Sequence, residues 1–351
     1  MGVLSCSEVK LFGCIKINLK CRVIFLLMFG ASIRAQDSLG LPQSIQPPFD
    51  VKEVTKQVLY NRGEALRTTG EFIVDTSIYT SEVHDQSMPS IAFDGTNYLV
   101  VWEDTRGYKA NAYDVFCARV APTGTVLDPL GLIVTIAPGD QRYPAVAFDG
   151  NNFLVVWEDR RRRPSDSSDI YGARVSRTGA VLDSNGIKIS TKVTGQTQNA
   201  VAFDGSNYMV VWNYIYGQRV SYYYVYGARI SQDGNVLDTG GIQITDNFRV
   251  KSMPSVGFDG TNYLVVWQSS GICGARVSRS GTILDSLGFT ISSGNNSNPA
   301  ISFDGNSYLV TWEDRRATYP YSDIYGARVS PSGAVIDSFP ISTQFGCQLS
   351  P

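Results

Sequence analysis

The amino-acid sequence predicts an all-β protein, a β-propeller built from four-stranded antiparallel blades. A unit of about 50 residues recurs five times, and each copy carries a Phe-Asp-Gly turn. These turns begin at Phe93, Phe148, Phe203, Phe258 and Phe303, at spacings of 55, 55, 55 and 45 residues. Each unit contains four short runs rich in β-branched and aromatic residues, separated by turns. No segment after about residue 60 shows sustained helical periodicity.

The second unit shows how the four strands of a blade are predicted. Its first strand covers 144–148, and the Asp-Gly pair that follows favours a tight turn. The second and third strands cover 153–157 and 170–176. The fourth covers 180–189, with a bulge or second turn at 183–186. One such blade cannot bury both of its faces alone, so we expect the blades to stack around an axis.

The repeats also define the predicted domain organisation. Full repeats cover about 89–143, 144–198, 199–253, 254–298 and 299–343. Residues 59–88 match the second half of a further unit, which makes a partial sixth blade and extends the propeller over 59–343. Residues 36–58 are a linker or an irregular segment, and 344–351 form a tail. Three alternatives stay open: five blades with an extra hairpin, six blades with one irregular blade, or a fragment of a longer protein.

The N-terminal segment and the composition indicate the compartment and exclude several kinds of partner. Lys16, Lys20 and Arg22 precede a short apolar run at 23–31, and Ala35 offers a cleavage point, so residues 1–35 are predicted to be a secretory signal. We therefore expect a secreted protein, extracellular or periplasmic, without a membrane span. The net charge of −2 gives no reason to expect a nucleic-acid partner. The single histidine, His84, excludes a zinc site with several histidine ligands.

Two motifs carry a resemblance to a known group of proteins. The segments FDGTNYLVVWED and DIYGARVSPSG resemble the repeats of large secreted bacterial proteins of propeller type, over about residues 60–343. The resemblance implies a secreted propeller and implies no activity, because that group is largely uncharacterised. Sialidase-type propellers are a more distant comparison, since their Ser-x-Asp-x-Gly-x-Thr-Trp turn is absent from this sequence.

The fourth repeat predicts how the second and third strands pair. Its Ser-Ser pair at 269–270 reads as a two-residue hairpin loop, which places Gln268 opposite Gly271 and, in the second repeat, Glu158 opposite Asp169. The acidic pairs in repeats one, two and five are Glu103 with Asp114, Glu158 with Asp169, and Glu313 with Asp323. An arginine three places after each glutamate accompanies them, at Arg106, Arg161 and Arg316.

The acidic pairs have three interpretations, since like charges facing each other need compensation. The first is a salt bridge in which the arginine braces the loop between two carboxylates. The second is a bound calcium ion, the one cofactor that the sequence leaves open. The third is a paired-carboxylate glycosidase centre. Such a centre would be unique to one blade, so the occurrence of this set in three blades argues against catalysis.

Two further residue types recur in every repeat and are predicted to be structural. An arginine on the third strand is expected to lie against the aromatic residue that begins the second strand, as Arg174 against Phe153, or to pair with a carboxylate of the neighbouring blade. These arginines are Arg119, Arg174, Arg229, Arg276 and Arg328. The tryptophans of the second strand are Trp102, Trp157, Trp212, Trp267 and Trp312.

Function is expected on the side of the disc that carries the long loops 104–113, 159–168, 214–223 and 314–322. Their candidate ligand-binding residues are Arg106, Tyr108, Arg160, Arg161, Tyr214, Tyr216, Arg219, Tyr222, Arg315, Arg316, Tyr319 and Tyr321. Exposed tyrosine and arginine favour a secreted or cell-surface binding or adhesion module that recognises a protein or a polysaccharide. The alternatives are a propeller-type glycan-active hydrolase or lyase and a structural surface component. No catalytic residue is assigned, and the oligomeric state is left open.

Overall fold

The structure, a computed structural model, describes residues 85–106, 112–161, 168–190, 195–216, 222–245, 251–316 and 322–343. Within these ranges the chain forms five four-stranded antiparallel sheets and no helix, so the predicted all-β propeller fold is confirmed. None of this part of the chain forms a helix that is long and apolar enough to cross a membrane. The predicted signal, the segment 36–58, the partial blade up to residue 84 and the tail from residue 344 lie outside the described residues.

Each sheet is one blade, and its strands follow one another in chain order. Blade 1 contains β1 (Gln86–Phe93), β2 (Tyr98–Asp104), β3 (Asp114–Val120) and β4 (Leu132–Thr135). Blade 2 contains β5 (Gln141–Phe148), β6 (Asn152–Asp159), β7 (Asp169–Ser176) and β8 (Ile187–Ser190). Blade 3 contains β9 (Gln196–Phe203), β10 (Asn207–Tyr216), β11 (Tyr222–Ser231) and β12 (Ile242–Gln243). Blade 4 contains β13 (Ser252–Phe258), β14 (Asn262–Gln268), β15 (Gly271–Ser278) and β16 (Phe289–Ser293). Blade 5 contains β17 (Asn296–Phe303), β18 (Tyr308–Asp314), β19 (Asp323–Val329) and β20 (Val335–Ser342).

The blades stack face to face, with their first strands at the centre. Each first strand packs against the first strand of the next blade, from β1 through β5, β9 and β13 to β17. Apolar side chains fill the space between sheets: Leu99 and Val101 of blade 1 share a core with Phe153 and Trp157 of blade 2. Because both faces of the middle strands are buried in this way, these strands read as continuous apolar runs.

The pairing of the second and third strands differs by one residue from the prediction. Glu158 lies opposite Ile170, and Asp159, not Glu158, lies opposite Asp169. In blade 4, Gln268 lies opposite Ile272, because the loop has three residues and the Ser269 N–H donates to the Gly271 carbonyl at 2.7 Å. A one-residue slip moves every side chain to the other face of the sheet. The predicted Glu–Asp pairs of blades 1, 2 and 5 are therefore wrong.

The same slip changes the surroundings of the recurring arginines. Arg174 lies opposite Leu154, and Phe153 lies opposite Val175, so the expected pairing of Arg174 with Phe153 does not form. Instead, Arg174 binds Asp183 of its own blade, with Nε and Nη2 at 2.8 and 2.9 Å from the two carboxylate oxygens. The other four arginines bind an aspartate nine residues later in the same way: Arg119 with Asp128, Arg229 with Asp238, Arg276 with Asp285, and Arg328 with Asp337.

Each first strand contains a bulge near its start, which the sequence analysis missed. In blade 2 the strand begins at Gln141, three residues before the predicted start, and its register shifts between Arg142 and Ala145. One non-glycine residue in each bulge has a φ between 52° and 54°: Met88, Tyr143, Gln198, Met253 and Asn298. Left-handed backbone is costly for such residues, so the surrounding contacts must hold it.

Candidate functional site

The aspartate that ends each second strand anchors a brace beneath the long loops. In blade 2, Asp159 accepts hydrogen bonds from Trp157 Nε1 at 2.8 Å and from Arg161 Nε and Nη2 at 2.8 and 2.7 Å. The Arg161 guanidinium also lies over the Tyr171 ring, 4.0 Å from its centroid. Equivalent braces join Asp104 to Trp102 and Arg106, and Asp314 to Trp312 and Arg316. Each of these three predicted ligand-binding arginines therefore binds the aspartate two residues before it, and Arg316 keeps 56% of its side chain exposed.

Blades 3 and 4 lack the brace aspartate, and the indole N–H groups of their tryptophans lack this acceptor. Tyr214 and Ser269 stand where the other blades have the aspartate. Trp212 Nε1 and Trp267 Nε1 are then buried without a hydrogen-bond partner among the described residues. Tyr214 instead packs edge-on against Tyr226, with ring centroids 5.0 Å apart.

The glutamate that precedes the brace aspartate points into the interface between blades, close to the axis. Glu103 is fully buried and accepts a hydrogen bond from the Ser87 hydroxyl at 2.6 Å. It also accepts bonds from two groups on the first strand of blade 2, Arg142 Nη2 at 3.2 Å and the backbone N–H of Tyr143 at 3.1 Å. Tyr143, whose N–H makes this contact, is the residue with left-handed backbone in the first-strand bulge. Both carboxylate oxygens of Glu103 therefore accept hydrogen bonds.

The equivalent glutamate of blade 2 has different surroundings. Glu158 is also fully buried, and its Oε1 accepts a hydrogen bond from Arg160 Nε at 2.8 Å. Its Oε2 accepts none among the described residues. The Ser168 hydroxyl lies nearby but donates its proton to the Gln196 carbonyl at 2.6 Å. Burial raises the pKa of Glu158, and the positive charges of Arg160 and Arg142 offset this rise only in part.

The third of these glutamates, in blade 5, is held by neutral groups and one arginine. Glu313 accepts hydrogen bonds from the Ser297 hydroxyl at 3.3 Å and from the Asn298 side-chain amide at 2.5 Å. Arg315 lies 3.4 Å from it, with about half of its side chain exposed. Three glutamates at one repeat position therefore have three environments, and repetition alone does not argue against a catalytic role for one of them.

Arg142 connects the first two glutamates and was not among the predicted site residues. It binds Glu103, it lies opposite Glu158 in the β5–β6 pairing, and its charge acts on the pKa of Glu158. Its guanidinium stacks on Tyr113 at 4.3 Å, and 27% of its side chain is exposed. A signal was available in the sequence, because the other repeats have serine or threonine at this position. We call Glu103, Arg142 and Glu158 the axial carboxylate group.

A carboxyl group with a pKa near neutrality lies at the loop end of blade 1. Burial raises the pKa of Asp114 to about 7, and the negative charges of Asp104 and Asp140 add to the rise. Within the described ranges, no three His, Cys, Asp or Glu side chains are arranged to hold a metal ion. Three pairs of carboxylates were considered as calcium ligands, and in each pair the two residues are one position out of register. These pairs are Glu103 with Asp114, Glu158 with Asp169, and Glu313 with Asp323.

Of the remaining predicted ligand-binding residues, some are described by the structure and the others lie outside the described residues. Tyr216 is 55% exposed at the end of β10 and stacks on Tyr214, with ring centroids 6.5 Å apart. Arg160 and Arg315 bind glutamates with partly exposed side chains. Outside the described residues lie Tyr108, Arg219, Tyr319 and Tyr321, together with the side chain of Tyr222.

Comparison with known proteins identifies the fold. No protein-family model matches the chain, and no curated protein matches its sequence. Among solved structures, the ectodomain of the parainfluenza virus 5 hemagglutinin-neuraminidase is similar, with a TM-score of 0.50, 7% identity, and coverage of 76% of this chain and 74% of that one. A thermostable family-43 glycoside hydrolase (TM-score 0.48, 11% identity, 78% and 98% covered) and the α-L-arabinofuranosidase of Lactobacillus brevis (0.46, 10%, 76% and 95%) also match. At these identities the likeness shows a propeller fold.

The expectation of a binding or adhesion module is contradicted by these comparisons. The similar structures are named as glycoside hydrolases and neuraminidases. Exposed loop arginines and tyrosines indicate a surface that can bind a ligand, and they do not distinguish an adhesion module from an enzyme that binds its substrate. Since the likeness is one of fold, any catalytic groups must be argued from this chain's own residues.

Proposed function

We propose that this chain is a glycan-active hydrolase of propeller type and that the axial carboxylate group is its reaction centre. The observation that carries the proposal is the divergence of two equivalent glutamates. Both oxygens of Glu103 are bound, by Arg142, Tyr143 N–H and Ser87. Glu158 keeps one oxygen without a hydrogen-bond partner among the described residues, and burial raises its pKa. Neighbouring carboxyl groups with divergent environments suit the acid and the anionic partner of glycoside hydrolysis.

Glu158 takes the role of the general acid. A buried carboxyl group favours its neutral form, which can donate a proton to the glycosidic oxygen as the bond to the leaving sugar breaks. Arg160 covers Glu158 and has 37% of its side chain exposed, so substrate reaches the acid when this guanidinium moves aside.

Glu103 takes the role of the second carboxylate. Arg142 and the Tyr143 N–H fix the orientation of its carboxyl group at the axis. Its negative charge can stabilise the positive charge that develops on the sugar ring in an oxocarbenium-like transition state. The partly exposed guanidinium of Arg142 lies beside both glutamates, where it can contact a bound sugar.

The names of the similar structures guide the choice of substrates for the test. Those names include an α-L-arabinofuranosidase, an enzyme complexed with xylotriose, and neuraminidases. The signal-like segment 1–35 supports action outside the cytoplasm, on a polysaccharide or glycoconjugate.

The test is hydrolysis of a defined panel with matched glutamine variants. The panel contains aryl α-L-arabinofuranosides, xylo-oligosaccharides and fluorogenic neuraminidase substrates. On whichever substrate with a sugar or another weakly acidic leaving group the wild type hydrolyses, Glu158→Gln should lower kcat/KM by about 10²–10⁴-fold, the usual contribution of a positioned acid. Glu313→Gln, at the same repeat position in blade 5, should change it less than about 5-fold. Equal losses in both variants, or a silent panel with the wild type, would count against the proposal.

A further inference from the structure

A side chain of blade 3 reaches the backbone that holds Glu103. The Asn199 side-chain amide donates from Nδ2 to the Tyr143 carbonyl, 3.1 Å away, across the interface between blades 2 and 3. At the other end of the same residue, the Tyr143 N–H donates to Glu103 Oε2 at 3.1 Å. Tyr143 is therefore held by blade 1 at its N–H and by blade 3 at its carbonyl.

These two hydrogen bonds fix an unfavourable backbone conformation. The φ angle of Tyr143 is 53°, in the left-handed region that is costly for a tyrosine. The bonded N–H and carbonyl belong to the two peptide planes on either side of this angle, so together the bonds oppose its relaxation. Loss of the Asn199 bond would let Tyr143 relax and turn its N–H away from Glu103.

Asn199 departs from the other repeats at this position. Proline cannot make the contact, because it has neither a side-chain donor nor a backbone N–H. The bulge forms in all five described blades, so the fold accepts proline here and does not require the amide. The equivalent residues of the other blades are Pro89, Pro144, Pro254 and Pro299.

The asparagine also has a cost in stability. Its Oδ1 atom is buried and has no hydrogen-bond partner among the described residues. A buried acceptor without a partner destabilises the folded state, and proline at this position would avoid that cost. A residue that the fold does not need and that lowers stability points to a role in the site it contacts.

We propose that Asn199 is a positioning residue, which holds the Tyr143 carbonyl and thereby fixes the N–H that orients Glu103. The proposal rests on the proposed function, in which Glu103 is the second carboxylate. Asn199 acts through Tyr143 and does not need to touch the sugar. A misoriented Glu103 would stabilise the oxocarbenium-like transition state less well, while the binding of the substrate would change little.

Steady-state kinetics of two variants, on a substrate that the wild type hydrolyses, test this role. Asn199→Pro introduces the residue of the other four blades, and Asn199→Ala removes the amide while keeping the backbone N–H. Each should lower kcat by about 10- to 100-fold and change KM by less than about 3-fold. Asn213→Ala is the matched control and should keep kcat within about 3-fold, because this buried amide of blade 3 donates to Gln198 Oε1.

A double variant tests whether Asn199 acts through Glu103. In the Glu103→Gln background, the carboxylate that Asn199 orients is gone. Adding Asn199→Pro should then lower kcat by less than about 3-fold further. A loss as large as in the wild-type background would overturn the proposal.

Amide hydrogen exchange at Tyr143, measured by NMR on the intact chain, is a readout that needs no catalysis. In both Asn199 variants this N–H should exchange at least about 10-fold faster than in the wild type, and in Asn213→Ala its rate should stay unchanged. Unchanged exchange in the Asn199 variants would overturn the proposal, as would an unchanged kcat. A wild type that hydrolyses no substrate of the panel would refute the proposed function, and faster exchange in the Asn199 variants would still support their effect on the Tyr143–Glu103 bond.

Discussion

Replacing Asp114 by asparagine should stabilise the protein in alkaline solution and not in acid. The pKa of Asp114 is raised from 3.8 to about 7 by burial and by Asp104 and Asp140. A raised pKa means that the folded state binds this proton more tightly than the unfolded chain does. The resulting stabilisation is complete below pH 4 and is lost as pH rises through about 7. A rise of about 3 pH units corresponds to about 4 kcal/mol, and screening at this loop end reduces it to about 2 kcal/mol.

Urea denaturation at several pH values measures this effect. At pH 8.5, Asp114→Asn should unfold with a free energy about 2 kcal/mol higher than that of the wild type, and at pH 4 the two should agree within about 0.5 kcal/mol. Asp285→Asn is the control of opposite sign, because Arg276 holds the pKa of Asp285 below its usual value, so this variant should be less stable than the wild type at pH 8.5. A difference between Asp114→Asn and wild type that does not change with pH would refute the reasoning.

Three other predictions concern stability and reactivity. Asp159→Ala removes the acceptor of a buried indole N–H and of a guanidinium, so the free energy of unfolding should fall by about 3 kcal/mol. A fall of less than about 1 kcal/mol in urea denaturation would contradict the stabilising role of the brace. Arg174→Ala breaks a two-point ion pair and should lower the free energy of unfolding by about 1 kcal/mol. In Arg328→Ala, half of the replaced side chain is exposed, so the denaturation midpoint should stay unchanged. Equal shifts of the midpoint in the two variants would disprove this ranking. Burial raises the pKa of Cys117 to about 12, so iodoacetamide at pH 8 should modify it only after unfolding and should modify the less buried Cys273 first, as peptide mapping would show.

The repeat pattern was sufficient to predict the blades, because each unit carries its own strand and turn signals. The pairing register was not predictable in the same way. Strands such as β6 bury both faces, so no polar alternation shows which residues share a face, and the hairpin length alone decides. The segment Ser269–Gly271 can close a loop of two or of three residues, and the shorter choice misplaced Glu158 and Arg174 by one position.

The candidate site was harder to predict than the fold. Glu103 and Glu158 were identified as unusual, but their difference comes from residues on the neighbouring blade and in the first-strand bulge. That bulge places left-handed backbone at Tyr143, where no glycine marks it in the sequence. Arg142 lies one residue before the predicted end of its repeat, 89–143, so its contact with Glu103 across the blade interface was not foreseen.

The role of Glu158 as the general acid is tested most directly by the dependence of kcat/KM on the leaving group. Aryl glycosides of one sugar, with phenols of increasing acidity, would be compared between wild type and Glu158→Gln. An acid is needed only when the leaving phenol is weakly acidic, so the account predicts a loss of about 10²–10⁴-fold for phenyl glycosides and nearly wild-type rates for 2,4-dinitrophenyl glycosides. A loss of the same size for every leaving group would contradict the assignment.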